Sequence, residues 1–272
     1  MRVYISVDLE GIGGVVHWDQ CTPGNRQFDE TRALMAAEAN AAIAGAFEAG
    51  AAEVVVNDAH GAQRNLPARE LDSRARLITG NVKPLSMMEG IGESFDAAFF
   101  IGYHAGAGNE GVLSHTYDGS PLWAVKLNAQ LAGEITINAA LAGYYGVPVA
   151  LVTGDSAACR EALSVLSGVE VVAVKEPISR YSANCLSPIV AGERIKEGAR
   201  SAIQRGPEME PFTLEPPVRF ELTFSNSGYA DRASLMPATK RLEPNVLIYE
   251  ADDYITAYRG FLTMLALAAT AP

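Results

Sequence analysis

Cysteine is scarce in this chain of 272 residues: Cys21, Cys159 and Cys185 lie far apart and form no CxxC pair. An odd, sparse count fits a reducing compartment and argues against a thiolate metal site. Basic clusters are absent too. With 21 Lys and Arg against 32 Asp and Glu the formal net charge is −11, so neither nucleic acid nor an anionic membrane is expected as a partner. The longest apolar run near the C-terminus, Phe261 to Ala269, is too short to span a bilayer. The N-terminus enters a strand at once, without a charged n-region or an apolar h-region, so no secretory signal is expected and the location reads as cytoplasmic. No GxSxG or SxxK occurs, which removes the familiar serine-nucleophile motifs. Histidine is limited to His17, His60, His104 and His115.

What is present is apolar and α/β in pattern. Hydrophobic residues make up 49% and charged residues 19%, enough for one large α/β domain or a domain with a smaller partner. A slightly positive mean hydropathy of +0.08 is consistent with apolar surface hidden in a homo-oligomer. Buried strands are expected at Val3–Val7, Val54–Val56, Leu77–Thr79, Ala97–Ile101, along VPVALVTGD, and at Val171–Val174. Helices are expected from Asp29 (as N-cap) to Ala49, from Glu134 to Gly146, and near Ala157–Leu166. A β-hairpin is expected with Leu122–Leu127 as its outgoing strand. Strands alternating with helices, and apolar on both sides, predict a mostly parallel sheet with helices on both faces over residues 1–205. The Pro-rich stretch 206–218 reads as a linker. Beyond it VRFELTFSN, NVLIYEA and a helix over Asp252–Ala269 predict a smaller α+β unit, 206–272.

The chemistry concentrates at strand ends. Asp8 and Glu10 directly follow Val3–Val7 and, two residues apart, point the same way. Such a pair, once buried, repels itself unless protonated or bound to a cation. Asp58 and His60 follow the second strand and His104 the fourth. In parallel α/β sheets ligands bind outside the carboxyl ends of the strands, so these groups should meet at one edge, with Glu134 as a further candidate. Mixed carboxylates and imidazoles suit Zn, Mn, Fe or Co better than Mg or Ca. The donors exceed the need of one catalytic zinc; two ions about 3.5–4 Å apart, bridged by Asp8, would use them all.

Plainer roles compete for each residue. A lone His at a strand end is commonly a hydrogen-bonded loop residue. Asp58 could merely orient His60. Glu134 could be an acid favoured at a helix N-terminus. His17 reads as a loop residue without a direct role, and Asp155 as a plain loop acid. Gly11, Gly13 and Gly14 imitate a dinucleotide loop, but His17 to Pro23 continue the loop where a helix should open, so nucleotide binding is not expected.

The segments SVDLEGIGG (6–14), NDAHG (57–61), KPLSMMEG (83–90), IGYHA (101–105), the His of VLSHT (112–116), and GE followed by a helix with GYYGVPV (143–149) resemble the zinc-dependent D-aminopeptidases of the bacterial dipeptide-transport operon type. The match runs in order through VKEPISRYSANCLSP (174–188) and is looser over the C-terminal unit. The resemblance implies a two-domain α/β subunit with two zinc ions. Asp8, Glu10, His60, His104 and Glu134 fall on the family's metal ligands and His115 on its catalytic histidine. It further implies release of N-terminal D-amino acids from short peptides by a zinc-activated water, in a decameric ring with its sites facing an internal channel. YDGSPLW (117–123) departs from the family pattern and is expected near the substrate pocket. As a working partition, His60 and Glu134 complete one zinc, Glu10 and His104 the other. His115 is left as acid/base, oxyanion donor or nucleophile. Two rivals stand beside this. One is a metallohydrolase of another amide or ester, including a phosphoesterase, for which Arg64 is the only obvious cation in the His60 loop. The other is a non-enzymatic peptide-binding protein.

Overall fold

The apolar run after Met1 extends into strand β1 (Arg2–Val7), buried from Val3 onward, as β-branched residues favour. The computed structural model describes residues 1–206 and 209–272. After β1 come α1 (Trp18–Cys21), α2 (Phe28–Glu48), β2 (Glu53–Asp58), β3 (Arg76–Ile78), β4 (Ala97–Tyr103), the hairpin β5 (Leu122–Leu127) and β6 (Gln130–Leu131), and α3 (Glu134–Tyr144). Then follow β7 (Val149–Asp155), α4 (Ser156–Val165), β8 (Glu170–Ser179), β9 (Ser182–Cys185) and α5 (Pro188–Arg205). The chain closes with β10 (Val218–Phe224), α6 (Ser227–Ala233), β11 (Lys240–Glu243), β12 (Val246–Ala251) and α7 (Tyr254–Ala268).

The main sheet has the order β3-β2-β1-β4-β7-β8-β9. All its pairs are parallel except β8 with β9. Alternation along β1 divides the interior. Val3, Ile5 and Val7 pack with Met35 and Ile43 of α2 and Ile195 of α5. Tyr4 faces the opposite side, with Ile135 and Leu141 of α3 and Ala158 of α4. Helices therefore cover both faces, as the strand pattern implies. The second sheet, β11-β12-β10-β5-β6, is antiparallel. Strands from both sides of residue 206 share it, because β5 pairs with β10 and Lys126 reaches Glu221 across them at 2.8 Å.

Several elements differ from expectation for local reasons. Helix α2 starts at Phe28 after Gln27, so Asp29 sits inside the first turn instead of capping it, 3.4 Å from Arg32. The loop after Gly14 contains α1, whose N-terminus is closed by a capping box of His17 and Gln20. Helix α5 was not anticipated, although Ser187 caps it and Pro188 occupies its first turn. Strands β9 and β11 and helix α6 were likewise missed. In the expected 206–218 linker, Pro207 and Glu208 lie outside the described residues, and Met209–Pro217 forms no strand or helix.

Candidate metal centre

Strand register brings the acids and imidazoles together. Asp8 leaves β1 with its N–H bonded to Ile101 O of β4 at 2.8 Å, and Ala59 N bonds Val7 O at 2.8 Å. The ends of β1, β2 and β4 thus lie side by side. Backbones are so close here that a Cβ on Gly11 would stand 2.0 Å from Tyr103 O, and one on Gly102, at φ +70°, 2.4 Å from Asp8 O. Neither position admits a side chain.

All six expected residues meet at this edge. His60 Nδ1 lies 2.9 Å from Glu10 Oε2 and 3.4 Å from Asp8 Oδ1. His104 Nε2 lies 3.4 Å from Asp8 Oδ2 and 3.4 Å from Glu134 Oε1. His115 stands further back, its Nε2 4.0 Å from Glu10 Oε1 and 3.9 Å from Glu134 Oε1. Its ring stacks on that of His104 at 4.1 Å between centroids. By these distances Glu10 lies with His60 near one oxygen of Asp8, and Glu134 with His104 near the other, whereas the working partition set Glu134 with His60 and Glu10 with His104.

The outer nitrogen of each imidazole is already engaged. His60 Nε2 bonds Cys21 O at 2.9 Å, His104 Nδ1 bonds Ala105 O at 3.0 Å, and His115 Nδ1 bonds Leu113 O at 2.9 Å. Each backbone oxygen can only accept, so the proton belongs on the outer nitrogen and the inner lone pair faces the carboxylates. Three buried carboxylates in one place need positive charge. Without a metal, burial works against charge on His60 and His104. Glu10 and Asp8 around the first, and Glu134 and Asp8 around the second, outweigh it and hold both rings well above the usual imidazole range. Burial also opposes ionisation of Asp8 and Glu10, yet the two imidazoles at Asp8 and His60 at Glu10 hold both acids below the usual range. His115 is pushed down by burial and by its neighbour His104.

Protons on imidazoles leave the charge only partly answered. Asp8 Oδ2 and His104 Nε2 are buried without any hydrogen-bond partner, an arrangement that a cation would satisfy. Donor atoms of Asp8, Glu10 and His104 lie within 4.8 Å of one another, and so do those of His104, His115 and Glu134. Carboxylates with imidazoles are a donor set that fits zinc.

Neighbouring polar groups hold the frame. Asp58 lies outside the cluster. It accepts from Asn65 N, Asn65 Nδ2 (2.8 Å) and Leu66 N (2.7 Å), while Asn65 Nδ2 also reaches His60 O at 2.6 Å. It therefore shapes the loop that carries His60. Asp155, expected as a loop acid, is buried. It caps α4 through Ala158 N and takes Val112 N at 2.7 Å, which fixes the start of the His115 loop. Lys175 was missed, though a lone Lys inside the apolar run of β8 is a visible signal. Its Nζ donates to the carbonyls of Glu10 (2.5 Å), Ile12 (2.9 Å) and Val15 (2.6 Å). Tyr117, in the stretch expected near the substrate pocket, donates its N–H to Glu134 Oε1 at 2.6 Å.

The cluster forms the floor of a cleft of about 600 Å³. Tyr117, Asp118, Gly119 and Ser120 line it, as expected for the stretch after His115, together with Trp18, Met87 and Arg180. Arg64 is not among the lining residues. His17 caps α1 through Asp19 N and is likewise absent from the lining.

A family model described as D-aminopeptidase matches residues 1–263. The chain belongs to the D-aminopeptidase family. It is 40% identical over 274 residues to a D-aminopeptidase of Bacillus subtilis (strain 168), covering 98% of each chain. Its fold is similar to the solved structure of the Zn-dependent D-aminopeptidase DppA from Bacillus subtilis, described as a self-compartmentalizing protease. The TM-score is 0.97, with 39% identity over 99% of this chain and 98% of that one. The likeness runs through both sheets, so membership in the family covers the C-terminal unit as well as the strand ends that carry the cluster.

Proposed function

We propose that the protein is a zinc-dependent aminopeptidase that releases N-terminal D-amino acids from short peptides. The observation that carries this reading is the buried, unpartnered pair Asp8 Oδ2 and His104 Nε2 inside a set of carboxylates and imidazoles. In this reading two zinc ions bind per subunit. Asp8, Glu10, His60, His104 and Glu134 would hold them. Zinc at such a site supplies a Lewis acid for the scissile carbonyl and makes water acidic enough to attack near neutral pH.

The chain's own residues do the rest. His115 Nε2 faces the cleft with its Nδ1 proton committed to Leu113 O. Its lowered basicity keeps that nitrogen free to accept a proton from the attacking water and pass it to the leaving amine. Tyr117 N holds Glu134 in place. Trp18 stands edge-on to His115 at 5.1 Å and limits its motion.

All six residues precede position 206, in keeping with a catalytic unit over 1–205. The 206–272 unit contributes Tyr258, whose hydroxyl bonds that of Tyr117 at 2.8 Å. Exposed Trp123, Ile178 and Ile189 support assembly into a homo-oligomer, which we take to be a decameric ring. Among the described residues no helix is long and apolar enough to cross a membrane.

The deciding experiment is hydrolysis of D-Ala-D-Ala against L-Ala-L-Ala by the purified protein, with and without chelator. Turnover of the D-peptide alone, lost on chelation and restored by zinc, is expected. No turnover of either peptide by zinc-bearing protein would leave a metal site without this substrate.

A further inference from the structure

Resting on that aminopeptidase reading, we propose that Arg180 binds the free C-terminal carboxylate of the peptide substrate. The cleft floor is acidic, with Asp8, Glu10 and Glu134, and Asp118 stands on the wall. Arg180 is the one Lys or Arg among the lining residues. It sits with Tyr181 in the two-residue turn between β8 and β9, and this hairpin tip is docked, not free. Leu113 N donates to Arg180 O at 3.0 Å, and Arg180 Nη1 donates to Ser114 O at 2.6 Å and Ser114 Oγ at 3.0 Å.

That anchoring uses one corner of the guanidinium. Among the described residues, Nε and Nη2 have no hydrogen-bond partner and no carboxylate pairs with Arg180, including Asp118, whose Oδ1 instead takes Ser120 N at 3.1 Å. A planar fork with a free edge, fixed beside the loop that carries His115, matches a carboxylate in geometry and charge. A short peptide lying in the cleft would bring its amine and scissile bond to the acid-rich floor. Its other end carries a negative charge that the floor cannot accept and Arg180 can. The chain therefore selects for short peptides with a free terminus over amides of the same length.

The test needs a probe that binds without turnover. The analogue of D-alanyl-D-alanine with a methylene in place of the scissile carbonyl, as free acid and as C-terminal amide, is titrated calorimetrically into the zinc-loaded full chain. Wild type is expected to bind the acid about tenfold tighter than the amide. In Arg180→Gln the ratio should fall close to one, with Arg180→Lys between. Loss of the Ser114 contacts could loosen the loop, but that weakens both probes alike and leaves the ratio standing. Equal binding of acid and amide by wild type, no binding of either, or an unchanged ratio in Arg180→Gln would overturn the proposal. Hydrolysis of D-Ala-D-Ala run alongside separates the two readings. Absent turnover with the ratio intact counts against the aminopeptidase, and turnover without the ratio counts against Arg180.

Discussion

His104 Nε2 faces Asp8 Oδ2 across 3.4 Å, and neither atom has a hydrogen-bond partner. Two buried polar groups left in that state are costly unless a cation lies between them. Replacing His104 with Ala removes one donor and leaves Asp8 and Glu134 without their shared partner. His104→Ala should lower the zinc content per subunit, with activity falling at least about 100-fold. Elemental analysis of dialysed protein reads the zinc. Full zinc content with intact activity would place the metal elsewhere.

His115 differs from His104 in distance, although the rings stack. Its Nε2 keeps 3.9–4.0 Å from the carboxylates, against 2.9–3.4 Å for His60 and His104. In the reading proposed above, His115 moves a proton and the nearer imidazoles hold the ion. His115→Ala should keep its zinc while kcat falls about 10²- to 10⁴-fold, the usual contribution of a general acid–base group. If zinc is lost in parallel with activity, His115 is a ligand.

The strand ends were the legible part of this molecule. Asp8, Glu10, His60 and His104 announce themselves because each follows an apolar run, and parallel pairing forces such ends into one row. The pairing of Glu10 with His60 was not legible. It depends on the loop after β2, which Asp58 and Asn65 shape and which sets His60 against Glu10 and Cys21 O. Lys175 shows the same limit from the other direction. Its place in an apolar strand is visible, but its three carbonyl partners lie some 160 residues earlier, and no local pattern connects them. Helix α5 was within reach of the sequence: Ala191, Ile195, Gly198, Ala199 and Ala202 recur at helical spacing and form its buried face, while the charged residues between them fall outside that face, behind a Ser187 cap and Pro188.

Behind the centre, Glu38 of α2 accepts Gly13 N at 2.8 Å through Oε1, while its Oε2 is buried without a partner. Burial pushes this carboxyl up to about 7, against the pull of the Gly13 N–H and of Lys175. A raised folded pKa means that the folded chain binds the proton more tightly than the unfolded one. The resulting stability is complete below the ordinary value of 4.5 and is lost as pH rises through about 7. Glu38→Gln stays neutral throughout and escapes that loss. Relative to Glu38→Gln, wild type should therefore lose up to about 3 kcal/mol of stability between about pH 5 and about pH 8. Denaturant midpoints of both proteins, prepared without zinc so that metal affinity does not enter, measure the difference. A gap that stays constant across the window would mean that Glu38 titrates at its ordinary value.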